Sequence, residues 1–190
     1  ENWISTSGEN ISLFEKKLAS YTKAKYCIAL NNGTSALHLS LKSINITFGD
    51  EVIVPTITFI ATINAIKYVN ADPIFMDSDN FFNIDISKTI SFIKNHTIFK
   101  SGYSYNKQTK KMIKAIIPVH VWGNACWIDE LVDLFDFPKG KDGYGLEGGS
   151  GNGKDTVRLS LNNPDSEIIT IDISDGAFVA SERCRELKLT

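Results

Sequence analysis

Apolar positions recur in two alternating rhythms along residues 1–135. In SLFEKKLASYTK (12–23), Leu13, Phe14, Leu18 and Tyr21 fall near one helical face and the lysines stand mostly off it, which predicts an amphipathic helix. YCIAL (26–30) is a short apolar run stopped by Asn31, Asn32 and Gly33, the pattern of a strand closing at a turn. From Thr34, TSALHLSLKSI returns to helical spacing, with Thr34 or Ser35 expected near the cap. EVIVP (51–55) is β-branched and bounded by Gly49, Asp50 and Pro55, so it predicts a strand. FIATINAIKYVN (59–70) predicts a helix, DPIFMD (72–77) a strand and ISKTISFIKNH (86–96) another helix. Residues 99–111 are polar and turn-rich, as in an exposed hairpin or loop. AIIPVHV (115–121) predicts a strand. WIDELVDLF (127–135) predicts a helix, with Asp129 and Glu130 early in it, where the helix dipole favours acids.

Strand and helix thus alternate four times, which indicates an α/β layer with a largely parallel sheet. Ligands on such sheets bind at the carboxyl ends of the strands, where loops lead into helices. The loops of interest are therefore 31–35, 55–59, 77–85 and 120–127.

The rhythm stops in LVDLFDFPKGKDGYG (131–145), whose later part has the polar, Pro- and Gly-containing character of a linker. Beyond it, Glu147, Gly149, Gly151 and Gly153 form an acid followed by alternating glycines. A helical stretch (KDTVRLSLN) and a β-rich run (EIITIDIS) ending near Asp172 come next. Together these predict one βαβ unit, with glycines that let backbone approach a ligand and an acid at the second strand's end suited to ribose hydroxyls. A lone unit of that size is too small to bury a proper core. Both sides of 136–144 look unfinished, which favours a seam between incomplete pieces over a working linker.

Apolar residues make up 43% of the 190, enough for a core, and the net charge of -2 with interspersed signs gives no electrostatic reason to expect a nucleic-acid partner. No apolar run reaches the roughly 18–20 residues that span a bilayer. The opening ENWISTSGEN lacks the regions of a signal peptide and also lacks a starting Met, as in a chain that begins partway into a longer protein. Cys27, Cys126 and Cys184 are widely spaced, and so are His38, His96 and His120. Neither set has disulfide-framework or metal-ligand spacing, and a reducing cytoplasm fits both.

The strongest candidate chemistry lies in NNGTSALHLSL. The first amides of a helix have no internal partner, and with the helix dipole they suit a phosphate. Gly33 would allow close approach, and Thr34 and Ser35 would add hydroxyl donors. On spacing alone the same turn also reads as a capped helix that binds nothing. The surrounding order is more specific: WISTSGENISLFEKKLASYTKAKYCIALNNGTSAL, then GDEVIVPTITFIATINAI, ADPIFMD and IIPVHVWG. This series resembles the DegT/StrS-type aminotransferases over about residues 1–135.

The resemblance implies the large domain of a fold type I pyridoxal-phosphate enzyme, a three-layer αβα sheet present here in part. It implies amination of keto-sugars carried on nucleotides, an amino donor, and a homodimeric parent enzyme. It places the cofactor phosphate at Gly33, Thr34 and Ser35 and the pyridine ring against Phe59. His120 falls at a strand's carboxyl end, either lining the cleft or serving structure. The resemblance also implies a lysine that forms a Schiff base with the cofactor and a carboxylate that keeps the pyridine nitrogen protonated. No segment matching either follows Phe135, and Lys154 stands in a different kind of loop, so the chain as written is expected to be inactive.

Residues 143–190 resemble the opening unit of S-adenosylmethionine-dependent methyltransferases with a Rossmann-like sheet. That resemblance assigns Gly149, Gly151 and Gly153 to the amino-acid end of the cofactor and Asp172 to its ribose. The expected division is therefore a partial aminotransferase domain over 1–135, a linker or seam over 136–144 and a partial methyltransferase-like unit over 145–190. A third reading is a non-catalytic fragment that associates through its open sheet edge.

Overall fold

The computed structural model describes residues 8–22, 26–127, 130–131, 144–148 and 167–171. The chain divides into two units, one of Asn32–Phe137 and one that joins Glu1–Asn31 to Pro138–Thr190.

The first unit is built around β1 (Asp50–Pro55), which is buried along its whole length. A strand covered on both faces needs apolar residues at successive positions rather than at alternate ones. Val52, Ile53 and Val54 supply that run, and each is fully buried. β1 pairs in parallel with β2 (Asp72–Met76) on one side and with β5 (Met112–Ile116) on the other. The sheet then continues antiparallel through β4 (Tyr103–Asn106) to β3 (Thr97–Lys100), giving the order β2-β1-β5-β4-β3. The expected largely parallel sheet is thus a parallel set of three strands extended by an antiparallel hairpin. Ser101 and Gly102 make the hairpin turn, both at positive φ (52° and 81°), as a two-residue turn between twisted strands requires.

α2 (Gly33–Ser43) and α3 (Ile60–Tyr68) pack together and against the sheet. Leu41 of α2 and Ala65 and Ile66 of α3 meet Val52 and Val54 in the core, with Ile46, Val69 and Ala71 closing its edges. Each fully buried Leu, Ile or Val contributes about 1.5–3 kcal/mol. Ile53, pointing to the opposite face, is equally buried, so that face is covered too. α4 (Ile86–His96) follows β2 and spans the residues that its apolar spacing predicts. Asp85 caps it by accepting a hydrogen bond from the Lys88 amide at 2.9 Å.

Charged groups gather where the parallel strands begin. Asp50 accepts from the Thr47 amide and pairs with Lys114, both at 2.9 Å. Glu51, 3% exposed, accepts from Asn106 Nδ2 at 2.9 Å. Asp72 lies between Lys67 and Lys111.

The predicted strand over 115–121 is displaced. β5 begins earlier, at Met112, and its last ladder bond runs from Ile117 N to Ile53 O at 2.8 Å. Pro118 follows and has no amide to continue the ladder.

In the second unit, α1 (Glu9–Thr22) covers the expected amphipathic stretch. Residues 26–30 do not form the predicted strand. Their apolar side chains Tyr26 and Ile28 are mostly exposed, and the Ala29 amide donates to the Glu15 carboxylate at 2.8 Å instead of to a neighbouring strand. An apolar run becomes a strand only where a partner backbone receives it. β6 (Tyr144–Gly148) and β7 (Glu167–Ile171) pair in parallel, as the βαβ reading of this segment predicts. Gly149, Gly151, Gly153 and Asp172 lie outside the described residues.

Candidate functional site

The α2 start is set by Asn32, not by Thr34 or Ser35 as the sequence suggests. Asn32 is extended and its Oδ1 accepts from the Ser35 amide at 2.9 Å, while its carbonyl accepts the first helical bond from Ala36 at 3.2 Å. Asparagine is a better N-cap than its position inside an Asn-Asn-Gly turn signal reveals. The consequence for chemistry is specific. Ser35 spends its amide on the cap, and helix geometry leaves the amides of Gly33 and Thr34 without a carbonyl partner. Those two donors, at the positive end of the helix dipole, suit an anion.

Phe59 is the N-cap residue of α3 and has no capping side-chain bond. The residue is 84% exposed, so it belongs to no core. Beside it, Thr58 Oγ1 and Thr62 Oγ1 share a hydrogen bond at 2.9 Å that steadies the entry to the helix.

Connectivity puts these two helix starts at one end of the sheet. α3 leaves the carboxyl end of β1 directly. α2 reaches the start of β1 through the short connection 44–49 while packing on it, so it runs antiparallel to the strand and its first turn lies at the strand's carboxyl end. A turn that suits phosphate and an exposed aromatic ring therefore share the end of the sheet where α/β ligands bind.

Two more loops reach that end, and they are tied together. Asn83 is 1% exposed in the loop after β2. Its Oδ1 accepts from the Val121 amide at 3.0 Å and its Nδ2 donates to the Ala125 carbonyl at 3.3 Å, in the loop after β5. In the same loop His120 Nδ1 accepts from the Cys126 amide at 2.9 Å, which places the proton of the neutral ring on Nε2. Buried Cys126 donates Sγ–H to the Val119 carbonyl at 3.0 Å. His120 thus has a structural tie, and Cys126 is a packed thiol. Cys27 sits in the other unit, where burial, and then the Glu15 carboxylate, push its thiol upward and away from reactivity.

Sequence reasoning missed Asn32 and Asn83. The first was visible as a cap-type residue one position before the glycine. The second had one weak signal, a lone asparagine between the apolar pair Phe81-Phe82 and Ile84. Among the described residues no cluster of His, Cys, Asp and Glu is arranged to hold a metal ion, and no helix is long and apolar enough to cross a membrane.

Comparison with known proteins agrees with this architecture. GDP-perosamine synthase of Escherichia coli O157:H7 is 42% identical over 133 residues, covering 70% of this chain and 32% of that protein. The dTDP-3-amino-3,6-dideoxy-alpha-D-galactopyranose transaminase of Aneurinibacillus thermoaerophilus is 38% identical, covering 68% and 31%. Among solved structures, a DegT DnrJ EryC1 StrS aminotransferase from Brucella abortus superposes with a TM-score of 0.55 at 32% identity, covering 67% of this chain and 32% of that one. Spr1654 of Streptococcus pneumoniae, solved in a PLP form, gives 0.55 at 27% identity over 73% and 31%. The chain spans about a third of the length of the curated relatives it matches. The DegT/DnrJ/EryC1/StrS aminotransferase family matches residues 1–137. The described αβ sheet is the fold of those aminotransferases, and the chain belongs to the DegT/DnrJ/EryC1/StrS aminotransferase family.

Proposed function

We propose that residues 32–137 form the phosphate- and ring-binding half of a pyridoxal-phosphate site, from an enzyme that aminates a sugar carried on a nucleotide. The observation that carries this reading is the pairing of an unspent helix start at Gly33 and Thr34 with the exposed ring of Phe59 at one end of the sheet. When bound, pyridoxal phosphate supplies an electron sink for moving an amino group. The amides of Gly33 and Thr34 and the hydroxyls of Thr34 and Ser35 would hold its phosphate. Phe59 would lie against the pyridine ring, giving it an apolar partner at low entropic cost. The names of the relatives, which specify GDP- and dTDP-linked sugars, support a nucleotide-sugar substrate for the parent activity.

The reading includes a deficit. Lys67, Lys88, Lys107, Lys110, Lys111 and Lys114 each give their ammonium to a carboxylate or a backbone carbonyl. After residue 137, no lysine or acid stands in a segment like those that supply the reactive amine and the pyridine-pairing carboxylate in the family. We infer that this chain binds the cofactor without attaching it and does not transaminate alone.

Titration with pyridoxal phosphate tests the proposal. Binding should be competed by inorganic phosphate, weakened by Phe59→Ala, and should leave no stoichiometric lysyl adduct after borohydride reduction. A stoichiometric adduct at one lysine would remove the deficit. Binding indifferent to both phosphate and Phe59 would remove the site. The parallel pairing of β6 with β7 supports a second reading for residues 145–190, a Rossmann-like unit of the kind that takes S-adenosylmethionine. Calorimetry with that nucleoside tests it, and absence of heat ends it.

A further inference from the structure

Six non-glycine residues among those described adopt positive φ, and two of them are bulky aromatics, Phe82 (67°) and Trp122 (52°). Asn45 and Asn70 tolerate that region, and Ser101 and Lys110 occupy tight turns of the hairpin segment. A large aromatic in the left-handed region is strained, and glycine would relieve it. Nothing in the core repays that strain, because Phe82 is 47% exposed and Trp122 is 80% exposed.

The two strained residues are held against each other. Their ring centroids lie 5.3 Å apart at an interplanar angle of 71°, an edge-to-face pair. The loops carrying them are fixed from below. Asp79 accepts from the amides of Phe81 and Asn83, at 2.8 and 2.9 Å, and Asn83 clasps Val121 and Ala125. In an edge-to-face pair, the ring that presents its edge has neither face taken up by its partner, and Trp122 is the more exposed of the two. The pair is therefore a rigid, preformed stacking surface. It stands on the loops after β2 and β5, at the same end of the sheet as Gly33 and Phe59.

We propose that Phe82 and Trp122 form a platform on which the nucleobase of a nucleotide-linked ligand stacks. This rests on the nucleotide-sugar reading above. A planar base is the part of such a ligand that an aromatic face recognises, and stacking of this kind works for any base. The guanine and thymine nucleotides in the relatives' names both carry one.

The test uses the 190-residue chain, its three indole N–H signals in NMR spectra and the Trp122→Phe variant to assign one of them. Guanosine diphosphate should move the Trp122 signal, whereas inorganic pyrophosphate should not. Trp122→Leu should weaken guanosine diphosphate binding about tenfold or more. Phe82→Leu should weaken it in the same direction, and both variants should bind pyridoxal phosphate as the parent does. Pyridoxal phosphate binding with no response of Trp122 to the nucleotide, or equal nucleotide affinity in Trp122→Leu, overturns the platform and leaves the cofactor reading intact. A response to pyrophosphate equal to that of the nucleotide overturns it as well, because phosphate and not the base would be recognised. Loss of pyridoxal phosphate binding in the unmutated chain overturns the cofactor reading itself, independently of the indole signal.

Discussion

Asn83 Oδ1 accepts a hydrogen bond from the Val121 amide across 38 residues of sequence, and the same side chain donates onward to Ala125. One buried amide thus joins the loop after β2 to the loop after β5. Replacing it with leucine keeps the branched shape but strands the Val121 N–H and the Ala125 C=O. A buried backbone group left without its partner costs about 1–3 kcal/mol. Asn83→Leu is expected to lower stability by about 2–4 kcal/mol in urea unfolding, the sum of two such losses with partial relaxation. Asn83→Asp should be no milder, because it keeps the acceptor, loses the donor and buries a charge.

The local parts of this fold were legible in the sequence, and the tertiary parts were not. Ile86 to His96 reads as a helix because its apolar spacing is a local signal. Val52 to Val54 reads as a strand because the run is β-branched. Residues 26–30 carry the same kind of signal yet form no strand, because strand pairing depends on a partner that the local sequence does not contain. The early start of β5 at Met112 was hidden in a lysine-rich stretch, where pairing with β1 and β4 overrides poor strand propensity. At the candidate site, Gly33 and Phe59 stood out by motif. The clasp of Asn83 and the facing rings of Phe82 and Trp122 join residues about 40 positions apart, and no pattern of spacing encodes such a contact.

Asn32→Ala removes the acceptor of the Ser35 amide at the start of α2. The expected loss is about 1 kcal/mol of stability, while Asn32→Asp should retain most of it. The two variants separate further in ligand binding. Alanine frees the Ser35 amide but loosens the first turn, whereas aspartate keeps the turn and sets a negative charge beside any phosphate. Pyridoxal phosphate affinity should therefore fall more in Asn32→Asp than in Asn32→Ala, opposite to the order of their stabilities, and paired unfolding and titration curves check it.

Acid and alkaline limbs of stability should trace the start of β2. Hydrogen bonds from Lys111, and then Lys67, hold the Asp72 carboxyl below its ordinary range. Its contribution is present above that ordinary range and is lost as pH falls through the lowered folded value. The same bond to Asp72 raises Lys111, whose contribution is lost as pH rises through its raised folded value. Asp72→Asn should flatten both limbs of the pH–stability profile. The groups are about 40% exposed, so added salt should shrink the difference between variant and parent.

Asn106 offers the sharpest contrast between two substitutions at one position. Its Nδ2 donates to buried Glu51 at 2.9 Å, and its Oδ1 accepts from the Gln108 amide at 2.9 Å in the turn before β5. Asn106→Ala leaves the Glu51 carboxylate without that donor and should cost about 1–3 kcal/mol. Asn106→Asp keeps the bond from Gln108 but turns a carboxylate oxygen toward Glu51. Two buried carboxylates at that separation cannot both ionise at low cost, so the folded state must hold a proton between them. A carboxyl pair whose folded value is raised makes stability fall as pH rises. Asn106→Asp should therefore be less stable than Asn106→Ala at neutral pH and should recover relative to it on acidification. Unfolding curves for both variants across the carboxylate range decide it: a constant difference would mean that the two acids do not face each other.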